Sequence, residues 1–222
     1  MNEIARIGGV AIYVSFVVCM AVFMKTDMTI NGILIGGSIM FIGGLIDDMV
    51  NLSPKLKLLF EIAAAIVLMM VGKVSLDVIR LPLGITIDMG IISFLVTFVW
   101  IIGITNAVNL IDGLDGLAGG ISTIILIVVA CLSAIEGRMD IQTMSLILAG
   151  ATMGFLIYNS HPASIFMGDC GALFLGFIIS AISLLGFKSS TIMTLALPIL
   201  LLAVPIVDTL GAILRRKLSG HK

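Results

Sequence analysis

A chain of 222 residues that is 60% hydrophobic and 11% charged, with a mean hydropathy of +1.27, has too few polar side chains to coat a soluble domain, which carries about 25% charged residues. A net charge of −1 excludes the electrostatic footprint of a nucleic-acid binder. The long apolar runs point instead to a single all-α integral membrane domain over residues 1–222, a polytopic helix bundle.

Eight apolar segments are predicted to cross the membrane, over residues 8–24, 28–46, 56–72, 89–107, 117–135, 141–158, 171–187 and 191–213. The first resembles a signal peptide in length, but seven further segments follow and no small-residue cleavage site closes it, so it reads as a membrane helix. Residues 73–88, "KVSLDVIRLPLGITID", break the helical pattern. Val74, Leu76 and Val78 alternate with polar positions, Pro82 and Gly84 punctuate, and Ile85 and Ile87 alternate again, which predicts a small β-hairpin on the outer membrane face. Cys19 and Cys131 lie in apolar runs and Cys170 in a polar loop; with no CxxC or Cys/His cluster, neither a disulfide framework nor a zinc site is indicated.

Short connections make neighbouring segments alternate in direction. Arg6, Lys55, Lys57, Arg215, Arg216, Lys217 and Lys222 then fall on one side, against Lys25, Lys73, Arg80, Arg138 and Lys188 on the other. The positive-inside rule makes the first side cytoplasmic. Asp47, Asp48, Asp112, Asp115 and Asp169 come from three separate loops, and all fall on that side. A single loop aspartate is most often a solvated charge. Five that converge repel one another, and a bound divalent cation is the ordinary remedy. Carboxylate and amide oxygens call for a hard ion, Mg²⁺ or Mn²⁺, and Mg²⁺ usually combines one or two carboxylates with substrate phosphates. Lys57 reads either as a snorkelling anchor or as a counter-charge for a diphosphate, Lys55 as an anchor. Asp208 reads as an internal ion-pair or hydrogen-bond partner, and His161 as a loop residue.

Three stretches carry a family resemblance: "GLIDDMVNLSPKLKLLFE", "NAVNLIDGLDGLAGG" and "NSHPASIFMGDCGALFLGF". In this order they resemble the three cytoplasmic motifs of the polyprenyl-phosphate N-acetylhexosamine-1-phosphate transferases, and the resemblance covers essentially the whole chain. It implies a multi-pass enzyme of the cell membrane that moves a sugar 1-phosphate from a UDP-sugar to undecaprenyl phosphate, with Mg²⁺ and release of UMP. "NSHPASIFMGD" resembles the branch that uses UDP-N-acetylglucosamine, which starts a lipid-linked cell-wall or surface polysaccharide. The resemblance places Asp47 and Asp48 near the lipid phosphate. It makes Asp169 the principal Mg²⁺ ligand, with Asn109 also at the metal and Asp112 in the catalytic set. Lys57, Asn106, Asp115 and Asn159 fall in the substrate-binding set. One acid of the Asp47–Asp48 pair would deprotonate the lipid phosphate, orient it, or form a covalent intermediate.

Against the family pattern, Glu61 stands where Gln is common and Cys170 where Thr is common. The family's usual first helix, its histidine-rich loop and its last helices have no counterpart in these 222 residues. A homodimer is compatible with the sequence. Two other readings stand beside the transferase: a transporter, disfavoured because the acids gather at one face and no repeat is visible, and an inactive truncated family member.

Overall fold

The computed structural model describes residues 6–80 and 86–187, together with positions 198–200, 203 and 207. Helices α1 (Gly8–Phe23), α2 (Met28–Val50) and α3 (Pro54–Met70) come first. A hairpin of β1 (Val78–Arg80) and β2 (Thr86–Asp88) follows, then α4 (Ile92–Ile111), α5 (Leu117–Ile135), α6 (Met139–Asn159) and α7 (Gly168–Phe187). Seven of the predicted segments are thus helices, and the eighth, 191–213, falls largely outside the described residues. Five helices, α2 and α4 to α7, are long and apolar enough to cross a membrane. The shortfall against eight has a physical cause: α1 has only 16 residues, and α3 has 17 that include Lys55, Lys57 and Glu61.

Local chemistry sets the helix ends. The Asp27 side chain accepts the Ile30 amide at 2.7 Å and caps α2, and Pro54 occupies the first turn of α3, where a missing N–H is harmless. Several helices outrun their apolar stretches. Asp47 and Asp48 lie in the last turn of α2, Asn106 and Asn109 in α4, and Asp169 and Cys170 in the first turn of α7. Cys170 is therefore a buried helical residue and not the loop residue expected from its polar neighbours.

Helix α7 is the axis of the bundle: 89% of its apolar window is buried, against 39–50% for the other long helices. It packs against α1, α2, α4, α5 and α6. The surrounding helices keep large apolar side chains on their outer faces, such as Val14, Val18, Ile35, Ile42, Val99 and Ile124. Between the helices, small polar groups are buried, among them Thr152 and Ser183, whose hydroxyls donate to carbonyls of their own helices at 2.8 and 2.7 Å. Apolar outside with small residues at the helix contacts is the pattern of a bundle solvated by lipid. This is a multi-pass membrane helix bundle.

The hairpin is antiparallel, pairing Val78 with Asp88, Ile79 with Ile87 and Arg80 with Thr86. The Leu76 amide donates to Thr97 Oγ1 at 2.8 Å and Ser93 Oγ to Asp77 Oδ1 at 2.8 Å, which ties the segment before the hairpin to the start of α4. Thr29 Oγ1 reaches the Gly72 carbonyl at 3.1 Å, so α2 begins at this same end. The hairpin therefore sits at the end of the bundle opposite Asp47, Asn109 and Asp169.

Close packing at the acidic end depends on Gly44. A Cβ there would lie 2.6 Å from both the Asp169 carbonyl and the Cys170 amide, which are backbone atoms that cannot yield. Among the described residues, a Cβ at Gly103 of α4 would meet nothing within 4 Å. Gly44→Ala should therefore destabilise the detergent-solubilised protein by about 1–3 kcal/mol. Gly103→Ala should leave it unchanged or add up to about 1 kcal/mol of helix propensity. Thermal unfolding followed by circular dichroism measures both; equal midpoints for the two variants would contradict the close α2–α7 approach.

Candidate active site

Three chain segments meet at one end of the bundle: the α2–α3 junction, the α4–α5 junction and the loop before α7. They enclose a cavity of about 260 Å³ lined by Asp48, Asn109, Asp112, Asp115, Asn159 and Asp169, with Arg6, Gly113, Leu114, Phe166 and Gly168. Asp47, Lys57 and Asn106 stand outside that lining.

Adjacent residues on a helix point about 100° apart, and Asp47 and Asp48 have separate tasks. The carboxylate of Asp48 accepts the backbone amides of Asp169 at 2.9 Å and Cys170 at 3.0 Å. These are first-turn N–H groups of α7, which have no partner within their own helix, and the positive end of the helix dipole favours the anion. Gly168 has φ +75°, and a Cβ there would lie 2.7 Å from Asp48 Oδ2, so both conformation and space call for glycine. Asp47, 2% exposed, accepts the Leu52 amide at 2.6 Å through Oδ1 and pairs with the Lys57 ammonium through Oδ2.

Lys57 also approaches Asp169 Oδ2 at 3.4 Å, while Asn109 Nδ2 donates to Asp169 Oδ1 at 2.6 Å. Asp169 is thereby held by α3 and α4 in addition to its own helix. Asp115 and Asn159 shape the rim. Asn159, buried, accepts the Gly116 amide at 3.0 Å and donates to the Ile165 carbonyl at 2.9 Å, joining α5 to the loop after α6. Asp115 accepts the Ala163 amide at 3.2 Å and meets His161 Nδ1 at 3.1 Å; that amide first, and then the imidazole, hold its carboxyl below the ordinary range. His161, expected to be a plain loop residue, is a loop residue that meets Asp115.

Asp112 differs from all of these. Among the described residues its carboxylate has no hydrogen-bond or ion-pair partner, although it lines the cavity. Burial, followed by repulsion from Asp169 and Asp48, pushes its pKa up to about 7. An acid forced partway to neutrality between two others is what a bound cation would relieve. Among the described residues no three His, Cys, Asp or Glu side chains form a closed metal cage. The donors here, Asp112, Asp169 and the Asn109 carbonyl, fit the sparser oxygen set that Mg²⁺ takes when phosphates complete its shell.

Asn106 is not brought to the cavity; its amide donates to Glu61 Oε2 at 2.5 Å and to the Ile102 carbonyl at 3.0 Å. Arg6 was legible only as a topology marker, since a lone arginine before an apolar run carries no motif; the structure puts it on the cavity lining.

Residues 30–187 match the family model described as glycosyl transferase family 4. The chain is 43% identical over 217 residues to a probable undecaprenyl-phosphate N-acetylglucosaminyl 1-phosphate transferase of Bacillus subtilis (strain 168), covering 96% of this chain and 60% of the relative. It is 32% identical over 251 residues to a decaprenyl-phosphate N-acetylglucosaminephosphotransferase of Mycolicibacterium smegmatis, covering 97% and 61%. A phospho-N-acetylmuramoyl-pentapeptide-transferase of Listeria innocua is 31% identical over 153 residues, covering 64% and 47%. The chain thus spans 60–61% of the length of the two N-acetylglucosamine-type relatives.

The separate duties of the acids predict opposite effects on stability. Asp48→Asn keeps one acceptor for α7 but loses the charge and the second bond, and should destabilise by about 1–2 kcal/mol. Asp112→Asn removes a repelled carboxylate and should stabilise the metal-free protein. Because the wild-type pKa rises from 3.8 to about 7 on folding, that gain should be absent below pH 4, grow as pH rises and be complete above pH 7. Unfolding midpoints in detergent with EDTA, taken across this range, decide both.

Proposed function

The chain belongs to glycosyl transferase family 4, and on that premise we propose that it transfers N-acetylglucosamine 1-phosphate from UDP-N-acetylglucosamine to undecaprenyl phosphate, releasing UMP at the cytoplasmic membrane face. The observation that carries this reading is Asp112, whose carboxylate has no partner among the described residues, beside Asp169 and Asn109 in a polar cavity at one end of an apolar bundle. Such a site suits a substrate pair of which one member is dissolved in lipid and the other in water. The names of the B. subtilis and M. smegmatis relatives support the sugar and the polyprenyl acceptor.

In the reaction, an oxygen of the lipid phosphate attacks the β-phosphorus of the UDP-sugar. A new phosphorus–oxygen bond forms as the bond to the bridging oxygen breaks, and the electron pair leaves with UMP. A phosphate monoester loses its second proton near pH 6, so at neutral pH the acceptor needs little help from a base. Asp47 and Asp48 are already engaged, one with Lys57 and one with the amides of α7, which supports a positioning role for the pair. Lys57 and Asn109 orient Asp169, Arg6 offers a positive charge to phosphate oxygens, and the Asp115–Ala163 and Asn159–Gly116 contacts hold the rim. Phosphoryl transfer depends chiefly on such alignment and charge neutralisation. Mg²⁺ held by Asp112 and Asp169 with Asn109 would neutralise the diphosphate.

The enzyme in membranes should convert radiolabelled UDP-N-acetylglucosamine and undecaprenyl phosphate to a lipid-extractable product and UMP, abolished by EDTA and restored by Mg²⁺ or Mn²⁺. Asp169→Asn should reduce turnover at least about 100-fold. A cation competes with the Asp112 proton, so Mn²⁺ affinity should rise about tenfold between pH 6 and pH 8, and Asp112→Asn should flatten that rise. No UMP release with any UDP-sugar would refute the transferase reading; a pH-independent Mn²⁺ affinity would refute the role of Asp112.

Eight spans, with the hairpin on the outer face, complete the proposed arrangement, supported by the Lys/Arg distribution and by the hairpin's place opposite the acidic end. With Cys19, Cys131 and Cys170 replaced, cysteines at Ser53 and Ser160 should react with an impermeant thiol reagent only from the cytoplasm, and one at Asp88 only from outside. Labelling of Ser53 and Asp88 positions from the same face would refute it.

A further inference from the structure

One polar contact lies outside the cavity and has no part in the mechanism above. Glu61 is 4% exposed in the middle of an apolar helix, and its Oε2 accepts Asn106 Nδ2 at 2.5 Å. The side chains belong to α3 and α4, and the spacing relates them to the site. Glu61 follows Lys57 by four residues on α3, which places it on the same helix face one turn away. Asn106 precedes Asn109 by three residues on α4, again on the same face. Two layers therefore cross the gap between these helices. In one, Lys57 and Asn109 grip the two oxygens of Asp169 from opposite sides. In the other, Glu61 and Asn106 grip each other directly.

The second layer sets the spacing of the first. Lys57 and Asn109 do not touch each other in any bond given above; both reach Asp169, which belongs to a third helix. If α3 drifted from α4, Lys57 would follow Asp47 on α2, to which it is more closely paired, and leave Asp169 with Asn109 alone. The Glu61–Asn106 bond is short, involves a carboxylate and is shielded from water on the Glu61 side, conditions under which such a bond is strong. Asn106 is further fixed by its donation to the Ile102 carbonyl at 3.0 Å, so the acceptor meets an amide already oriented by its own helix.

We infer that Glu61 is a positioning residue, whose hydrogen bond from Asn106 clamps α3 to α4 so that Lys57 stays on Asp169. The inference rests on the transferase reading for its kinetic consequence but not for its structural one. A glutamine at position 61 would retain an acceptor oxygen for Asn106, so the bond and not the charge is what the site requires.

The test compares wild type with Glu61→Leu, Asn106→Leu and Glu61→Gln, all as the whole membrane-embedded chain. Asn106→Leu is the decisive variant because it breaks the bond while leaving Glu61 in place. Modification of Lys57 by an amine-reactive ester, quantified by peptide mass spectrometry, should accelerate several-fold in both leucine variants and stay at the wild-type rate in Glu61→Gln. In the sugar-phosphate transfer assay, the leucine variants should lose at least about tenfold in kcat with KM for the UDP-sugar within about threefold, and Glu61→Gln should recover. Unchanged Lys57 labelling in Asn106→Leu would overturn the clamp, as would Glu61→Gln labelling as fast as Glu61→Leu. Should a leucine variant fail to insert, Asn106→Ala and Glu61→Gln carry the same comparison. A wild type that transfers no sugar phosphate would sink the transferase reading while the labelling arms still decide the clamp.

Discussion

A carboxylate on α2 receives the first amides of α7, and the acidic end of the bundle is organised around that contact. Helix α7 is almost wholly enclosed along its length, and its first amides have no partner within the helix itself. Asp48 supplies two charge-assisted bonds where the helix dipole is positive, an arrangement worth about 1–2 kcal/mol and geometrically strict. Gly44 and Gly168 follow from it, since larger residues would push the backbone of α7, or the carboxylate itself, out of range. The position of Asp169 is then set, because it is the residue whose amide Asp48 holds.

From that fixed point the charges divide their work. Asp47 neutralises Lys57, Lys57 and Asn109 steady Asp169, and Asp115 fastens the loop before α7. Each of these carboxylates has a partner that lowers the free energy of its charged form. Asp112 has none among the described residues, and its raised pKa is the residue of the imbalance. The proposed ion binding rests on this asymmetry and not on the number of acids, since paired carboxylates make poor demands on a cation.

The membrane setting explains why so few polar contacts suffice. With apolar side chains facing outward and small residues between helices, each buried hydrogen bond lacks competition from water and fixes a helix position closely. The tie between Glu61 and Asn106 draws on this shielding at its Glu61 end. So do the contacts of Tyr13, whose hydroxyl meets Ser38 at 2.8 Å and whose ring stacks on Phe41 and meets Phe174 edge-on, seating α1 against α2 and α7.

Hydropathy and period are properties of neighbouring residues, and by itself the sequence determined what depends on them. The seven described helices and the paired strands β1 and β2 were legible in runs and alternation, and the three polar motifs marked the junctions that meet at the cavity. Their family resemblance named the residue types of the site. Helix ends were less legible, because α2, α4 and α7 continue through polar residues once tertiary partners satisfy them; this is why Asp47, Asn109 and Asp169 proved to be helical. Only the tertiary structure decided which acid does what. Asp47 and Asp48 are chemically identical neighbours, yet one faces an ammonium and the other the end of a helix. Asn106 and Asn109 occur in one motif, yet one meets Glu61 and the other Asp169. The ammonium facing Asp47 lies across the α2–α3 junction, and the other three partners are 45 to 121 residues away, brought within hydrogen-bond reach by helix packing that no local pattern encodes.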